Sequence, residues 1–296
     1  MTIEADTNQH LSESKRTFHD PVLIKYLLPT DTQEFNRLVT QHKAITTTLN
    51  GLFSAPISDQ LEDGITVLDA GCGPGCWSID MAALYKNSQF HGVDILDSQL
   101  PKKSNKPANT QFVIGDLVDN IPYPDNTFGF IYQRLLSLAF TKEQWRRNLK
   151  ELQRVLKPGG YVELIEYDHR KMLEYGPLFK KEQEAIEKYQ VSRGMYPYVA
   201  ENLCDILEDA GFTEIKKSVK QQAFCNSDSA DKGMELTGDA ILCAFESLGP
   251  RLSEILPEWK DPNVYKTHLQ KCRLEALANN AQLYCTIHIA QKKQAD

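Results

Sequence analysis

The stretch VLDAGCGPGCWSIDMA, Val67 to Ala82, decides how this chain folds. Val67 to Ala70 read as the end of a short buried strand. Gly71, Gly73 and Gly75 follow at every second position, and the residues from Cys76 onward open a helix. A strand, then glycines, then a helix N-terminus brings backbone close to a nucleotide-like ligand.

Outward from this stretch the chain alternates. Strands are predicted over Ile65–Asp69, Phe90–Asp94, Gln111–Asp116, Phe128–Gln133 and Tyr161–Asp168. A helix opens at Thr141, where Thr141 and Gln144 form a capping box. Its apolar face carries Trp145, Leu149, Leu152 and Leu156, and Pro158-Gly159-Gly160 stops it. Short strands alternating with helices imply an α/β doubly wound, mostly parallel sheet. Such sheets bind ligands beyond the carboxyl ends of their strands.

The flanks are less regular. Residues 1–20 are polar and read as a disordered tail. Residues 21–60 read as a helical N-terminal extension, able to act as a lid. Phe35, Leu38, Val39, Ile45 and Leu49 stand at helical spacing there, and Gly51 marks the helix end. Residues 61–296 read as one domain with its core at 61–170 and helical insertions at about 172–200 and 226–280. Gly249-Pro250 is expected to break the second insertion. FTEIKKSV and LYCTIHIAQ read as late strands, with His288 on the polar side of the last one.

Composition narrows the function. The formal net charge of −7 and pI near 5.6 argue against a nucleic-acid binder. No stretch approaches the roughly 18 apolar residues of a membrane helix. The N-terminus lacks the apolar run of a secretory signal, so a cytoplasmic or nuclear location is expected. The seven cysteines are then reduced thiols. Cys72 and Cys76 have no second pair at ligand spacing, so no metal is expected.

Three acids stand at successive strand ends: Asp69, Asp94 and Asp116. The spacing G-x-G-x-G preceded by an acid is awkward for a pyrophosphate, because two anions would meet. It suits a ligand with a cationic group, such as the methionine ammonium of S-adenosylmethionine. Asp94 suits ribose hydroxyls, in that ligand or in NAD, and Asp116 suits an adenine amino group.

VLDAGCGPG, GVDI, GDL and LKPGGYVELIE together resemble the motif series of class I S-adenosylmethionine-dependent methyltransferases. YLLPTDTQEFNRLVTQH, APIS and YQR extend the likeness to the fungal LaeA-like methyltransferases, the velvet-complex regulators of secondary metabolism and their relatives. Those relatives carry G-T-G-T-G where this chain has Gly71-Cys72-Gly73-Pro74-Gly75, and an Asp where it has Gly129. The resemblance implies a seven-stranded Rossmann-like sheet with its last strand antiparallel. It also implies a cofactor set of Asp69, Gly71, Cys72, Gly73, Gly75, Asp94, Ile95, Asp116, Leu117 and Gln133.

Methyl transfer needs alignment and exclusion of water more than a strong catalytic signature. Tyr132, Arg134 and His169 follow the fourth and fifth strands and stand as catalytic candidates. His169 is a candidate base or a plain loop histidine, and Arg134 a substrate anchor or a local ion pair. Glu163 reads as structural, and His42 belongs to the lid or to simple packing. Tyr175, Phe179, Tyr189, Tyr196 and Tyr198 either line an acceptor pocket or fill a helix core. Three functions follow: methyl transfer to a small-molecule acceptor, lipid or secondary metabolite included; a LaeA-like regulator acting through a protein partner; and a nicotinamide-dependent oxidoreductase. The last is disfavoured by Asp69 and the missing sixth-position glycine.

Overall fold

A computed structural model describes residues 27–101, 106–224 and 232–294. The tail at 1–20 lies outside them. The described residues form a seven-stranded sheet in the order β3-β2-β1-β4-β5-β7-β6. The strands are β1 Thr66–Ala70, β2 Gln89–Asp94, β3 Thr110–Ile114, β4 Phe128–Arg134, β5 Leu156–Tyr167, β6 Phe212–Ala223 and β7 Gln282–Lys292. β1 to β5 run parallel, and β7 inserts antiparallel between β5 and β6. The sheet expected from the resemblance is the one observed.

Both faces of the sheet are covered, so neighbouring strand residues enter different cores. Val67, Phe130 and Tyr132 pack with Trp77 and Met81. Leu68 and Ile131 pack on the other side with Trp145, Leu149 and Leu152. Those three lie on α4, Lys142–Val155, which starts with the expected capping box. Trp77 and Met81 lie on α3, Cys76–Leu84, directly after the glycine loop.

Around this frame stand α1 Thr32–Leu49, α2 Ser58–Asp63, α5 Pro177–Ser192, α6 Val199–Asp209, α7 Lys232–Leu252 and α8 Pro262–Ala278. α1 begins at Asp31, whose carboxylate accepts from the Glu34 amide at 3.0 Å.

Several expectations are corrected. α1 ends through the left-handed Asn50, not Gly51, because an asparagine tolerates that conformation. α4 stops at Val155, and Pro158-Gly159-Gly160 belong to β5, whose partner register shifts there. Gly249-Pro250 does not break α7. The proline falls in the last turn, where losing one hydrogen bond is cheap. Gly249 is small for another reason: a Cβ there would stand 2.6 Å from the Tyr265 ring. His288 is fully buried, not on a polar face, because β7 is flanked by strands and covered on both sides.

Candidate functional site

At the carboxyl ends of β1, β2 and β3 the chain builds a cavity of about 380 Å³. Its floor is the glycine loop. The Gly71 and Cys72 amides both donate to the Val93 carbonyl, at 2.8 and 3.1 Å, tying the loop to the end of β2. The Asp94 carboxylate then bridges the two elements. It accepts from the Gly73 amide at 2.8 Å and from the Leu96 amide at 3.0 Å. Burial pushes the Asp94 carboxyl above its ordinary range, and these amide donors pull against that shift.

Gly73 and Gly75 carry positive φ, 50° and 69°, for different reasons. A Cβ on Gly73 would enter open cavity, with Leu38 Cδ1 at 3.6 Å as its nearest neighbour. A Cβ on Gly75 would meet Phe112 Cε1 at 2.5 Å. Gly73 therefore clears space for a ligand. Gly75 clears space for the protein's own phenylalanine and does not line the cavity.

Of the predicted cofactor set, Gly71, Cys72, Gly73, Asp94, Ile95, Asp116 and Leu117 line the cavity. Asp116 caps its own turn, accepting from the Val118 amide at 2.8 Å. Asp69 and Gln133 do not line it. The Asp69 carboxylate turns into the first turns of α3 and accepts from the Ser78 hydroxyl at 2.7 Å. Burial lifts its pKa to about 6. Gln133 faces α4, donating to Asn148 Oδ1 at 3.0 Å. Asn148 Nδ2 in turn donates to the Leu117 carbonyl at 3.1 Å, so Gln133 reaches the cavity wall only through two residues.

The catalytic candidates divide as well. Tyr132 is excluded, because it is fully buried within β4, stacked in the core against Trp77. Arg134 and His169 line the cavity. His169 Nε2 and Ser137 Oγ are 3.2 Å apart. Burial lowers the His169 pKa to about 4, which keeps the ring neutral. Glu166 clamps the loop beside it, accepting from the Leu136 and Ser137 amides at 2.7 and 3.3 Å. Its own pKa rises to about 8 through burial. Glu163 is structural, accepting from the Ser54 and Ala55 amides at 2.8 and 2.7 Å.

The far wall comes from outside the predicted site residues. α1 contributes Arg37, Leu38 and Gln41, and α7 contributes Ile241, Ala244 and Phe245. Arg37 is held by a two-point ion pair to Glu34 at 2.9 and 2.8 Å. Met172 and Tyr167 close the wall from the end of β5. The aromatic cluster Tyr175, Phe179 and Tyr189 is core instead, with Phe179 against Phe224 at 5.2 Å. Tyr198 lies under Arg170 at 4.1 Å and Tyr196 under Lys142 at 5.3 Å, both away from the cavity.

These residues fit S-adenosylmethionine. Two carboxylates stand at the β2 and β3 ends, and Gly73 presents bare backbone between them and the rest of the cavity. Two buried polar atoms of lining residues, Gln99 Oε1 and Arg134 Nη1, have no partner among the described residues and call for a ligand. Among the described residues no cluster suits a metal ion, and no helix is long and apolar enough to cross a membrane.

Comparison with known proteins agrees with this geometry. Residues 67–160 match the family described as "Methyltransferase domain". The chain is 28% identical over 167 residues to the N-methyltransferase verN of Clonostachys rogersoniana, covering 56% of this chain and 55% of that protein. It is 30% identical over 164 residues to the secondary metabolism regulator LAE1 of Cochliobolus heterostrophus, covering 54% and 52%. The chain thus spans about half the length of these curated relatives. In fold it is similar to the Haemonchus contortus phosphoethanolamine N-methyltransferase 2, solved with S-adenosyl-L-methionine. The TM-score is 0.50 at 19% identity, covering 85% of this chain and 56% of that one. Residues 67–160 match a methyltransferase domain, on a fold similar to that of an S-adenosylmethionine-dependent methyltransferase, in a chain that resembles the fungal LaeA-like proteins.

Proposed function

We propose that the protein transfers the methyl group of S-adenosylmethionine to a small-molecule acceptor. One observation carries this reading. The cavity does not stop at the glycine loop but runs on to an apolar wall of Met172, Ile241, Ala244 and Phe245. A cofactor-only site needs no such wall. A regulator acting through a protein surface needs none either.

The bound cofactor supplies a methyl group on a sulfonium, an electrophile with a good leaving group. The chain's residues do the rest. Asp94 and Asp116 hold the adenosine half. Leu38, Met172 and Phe245 exclude water around the acceptor. Neutral His169, with Ser137 at hydrogen-bond distance, is positioned to take the proton that an amine or hydroxyl acceptor loses as its bond to carbon forms. The N-methyltransferase named among the relatives makes a nitrogen acceptor the first to try.

The test is methyl-labelled S-adenosylmethionine incubated with the protein and a panel of small apolar amines, thiols and phenols. Label transferred to a small molecule, and lost in His169→Ala, supports the reading. Label appearing only on protein, or nowhere across a broad metabolite extract, contradicts it.

A further inference from the structure

We propose that Arg134 is a carboxylate-binding residue that takes the carboxylate of the cofactor's methionine moiety, with His42 as its positioning residue. The inference rests on the methyltransferase reading above and deepens it.

Arg134 ends β4, one residue beyond the paired Ala70 and Gln133, and so lies beside the glycine loop. Its guanidinium is divided between two tasks. Nη2 lies 3.1 Å from His42 Nδ1. A guanidinium only donates, so Nδ1 must accept, and the ring proton stands on Nε2. Nε2 donates in turn to Asp80 Oδ2 at 2.9 Å. Burial and the Arg134 charge both hold His42 below its ordinary pKa, so the ring stays neutral. The chain Asp80–His42–Arg134 thus orients the guanidinium without neutralising it.

Nη1 is the other half. It is buried and has no acceptor among the described residues, and its residue lines the cavity. Asp69, an acid that feels the Arg134 charge, is committed to Ser78. A buried cationic N–H without an acceptor is costly, and the cost is removed when an anion arrives. The cavity's polarity says which anion. Asp94 and Asp116 occupy the β2 and β3 end, which takes the adenosine. A ligand running from there across Gly73 towards β4 brings its amino-acid end to Arg134. The planar fork of a guanidinium matches a carboxylate. An acceptor molecule's carboxylate is the competing source.

His42 lies on α1, and Arg37, Leu38 and Gln41 of the same helix line the cavity. Seating of α1 therefore sets where Nη1 points.

Calorimetric titration with two probes separates the possibilities. S-adenosylhomocysteine carries the amino-acid end, and 5′-methylthioadenosine shares the adenosine and thioether but lacks it. Arg134→Gln is expected to weaken S-adenosylhomocysteine about tenfold or more, one charge-assisted hydrogen bond, and to leave 5′-methylthioadenosine unchanged. His42→Phe is expected to shift the same ratio in the same direction by less. A merely structural role for His42 would weaken both probes alike. Should Arg134→Gln fail to fold, Arg134→Lys carries the test, since a point charge cannot reproduce the fork. An unchanged preference in the variant overturns the inference and moves the carboxylate to the acceptor. Wild-type protein that binds neither probe sinks the methyltransferase reading and this inference with it.

Discussion

The indole of Trp77 lies flat on the ring of Tyr132, with centroids 4.1 Å apart and planes 3° from parallel. The pair seals the sheet beneath the glycine loop. Trp77 Nε1 donates to the Leu52 carbonyl at 2.7 Å, while the Tyr132 hydroxyl is buried with no partner among the described residues. Tyr132 is thereby a packing residue. Tyr132→Phe is expected to retain methyl transfer and to lose no stability, because it removes an unsatisfied polar group. Trp77→Ala is expected to cost about 3–5 kcal/mol. Urea unfolding of both variants checks this, and loss of activity in a stable Tyr132→Phe would return Tyr132 to the chemistry.

The glycines of the loop should separate by what they protect. Gly75→Ala forces a Cβ against Phe112 at positive φ, so a stability loss of about 2–4 kcal/mol is expected. Gly73→Val is strained by its positive φ, at about 1–2 kcal/mol, but its side chain enters the cavity, so it should block the cofactor while the chain stays folded. Thermal melts with and without S-adenosylhomocysteine distinguish them. A ligand-induced shift surviving in Gly73→Val would contradict the placement.

His169→Ala should lower kcat about 100-fold or more, the range of a lost general base, while S-adenosylhomocysteine affinity stays at the wild-type value. With its pKa near 4, His169 contributes no inflection to the rate profile around neutrality. An inflection near pH 6.5 that disappears in the variant would contradict the depressed pKa of His169.

His288 predicts a pH effect on stability. Burial depresses its pKa from 6.5 to about 4, and neither ring nitrogen has a partner among the described residues. The folded state resists a proton that the unfolded state accepts. The contribution of the neutral ring is therefore complete above pH 6.5 and is lost as pH falls through 6.5 towards 4. His288→Leu should flatten this acid limb and gain about 1–2 kcal/mol at pH 7 by removing unsatisfied polar atoms. Denaturant midpoints for both proteins between pH 4.5 and 7.5 provide the test. Parallel curves would contradict it.

Much of the fold was legible because its signals are local. The strand before Gly71, the Thr141–Gln144 cap and the alternation of strands and helices each need only neighbouring residues. That Asp94 and Asp116 line the cavity was legible because the strand ends of a doubly wound sheet open onto it. Side-chain direction was not. Tyr132, Gln133 and Arg134 are consecutive, yet they turn to Trp77, to Asn148 and to the cavity. Which of the three faces a ligand depends on which helices cover each face of the sheet. The Ile241–Phe245 wall was invisible for the same reason. α7 reaches the cavity by packing on α1, about 200 residues earlier in the chain, and α7 carries no motif that announces it. The aromatic cluster at Tyr175 and Phe179 shows the opposite case, where density suggested a pocket and mutual ring packing filled it.

Asp94 offers the most direct test of the site as a whole. Its carboxylate joins the glycine loop to the end of β2, where the proposed function puts the cofactor's ribose. Titration of wild-type protein and Asp94→Ala with S-adenosylmethionine is the measurement. Wild-type binding, weakened about tenfold or more in the variant, is the expected result. Binding of equal strength in both proteins would contradict the site.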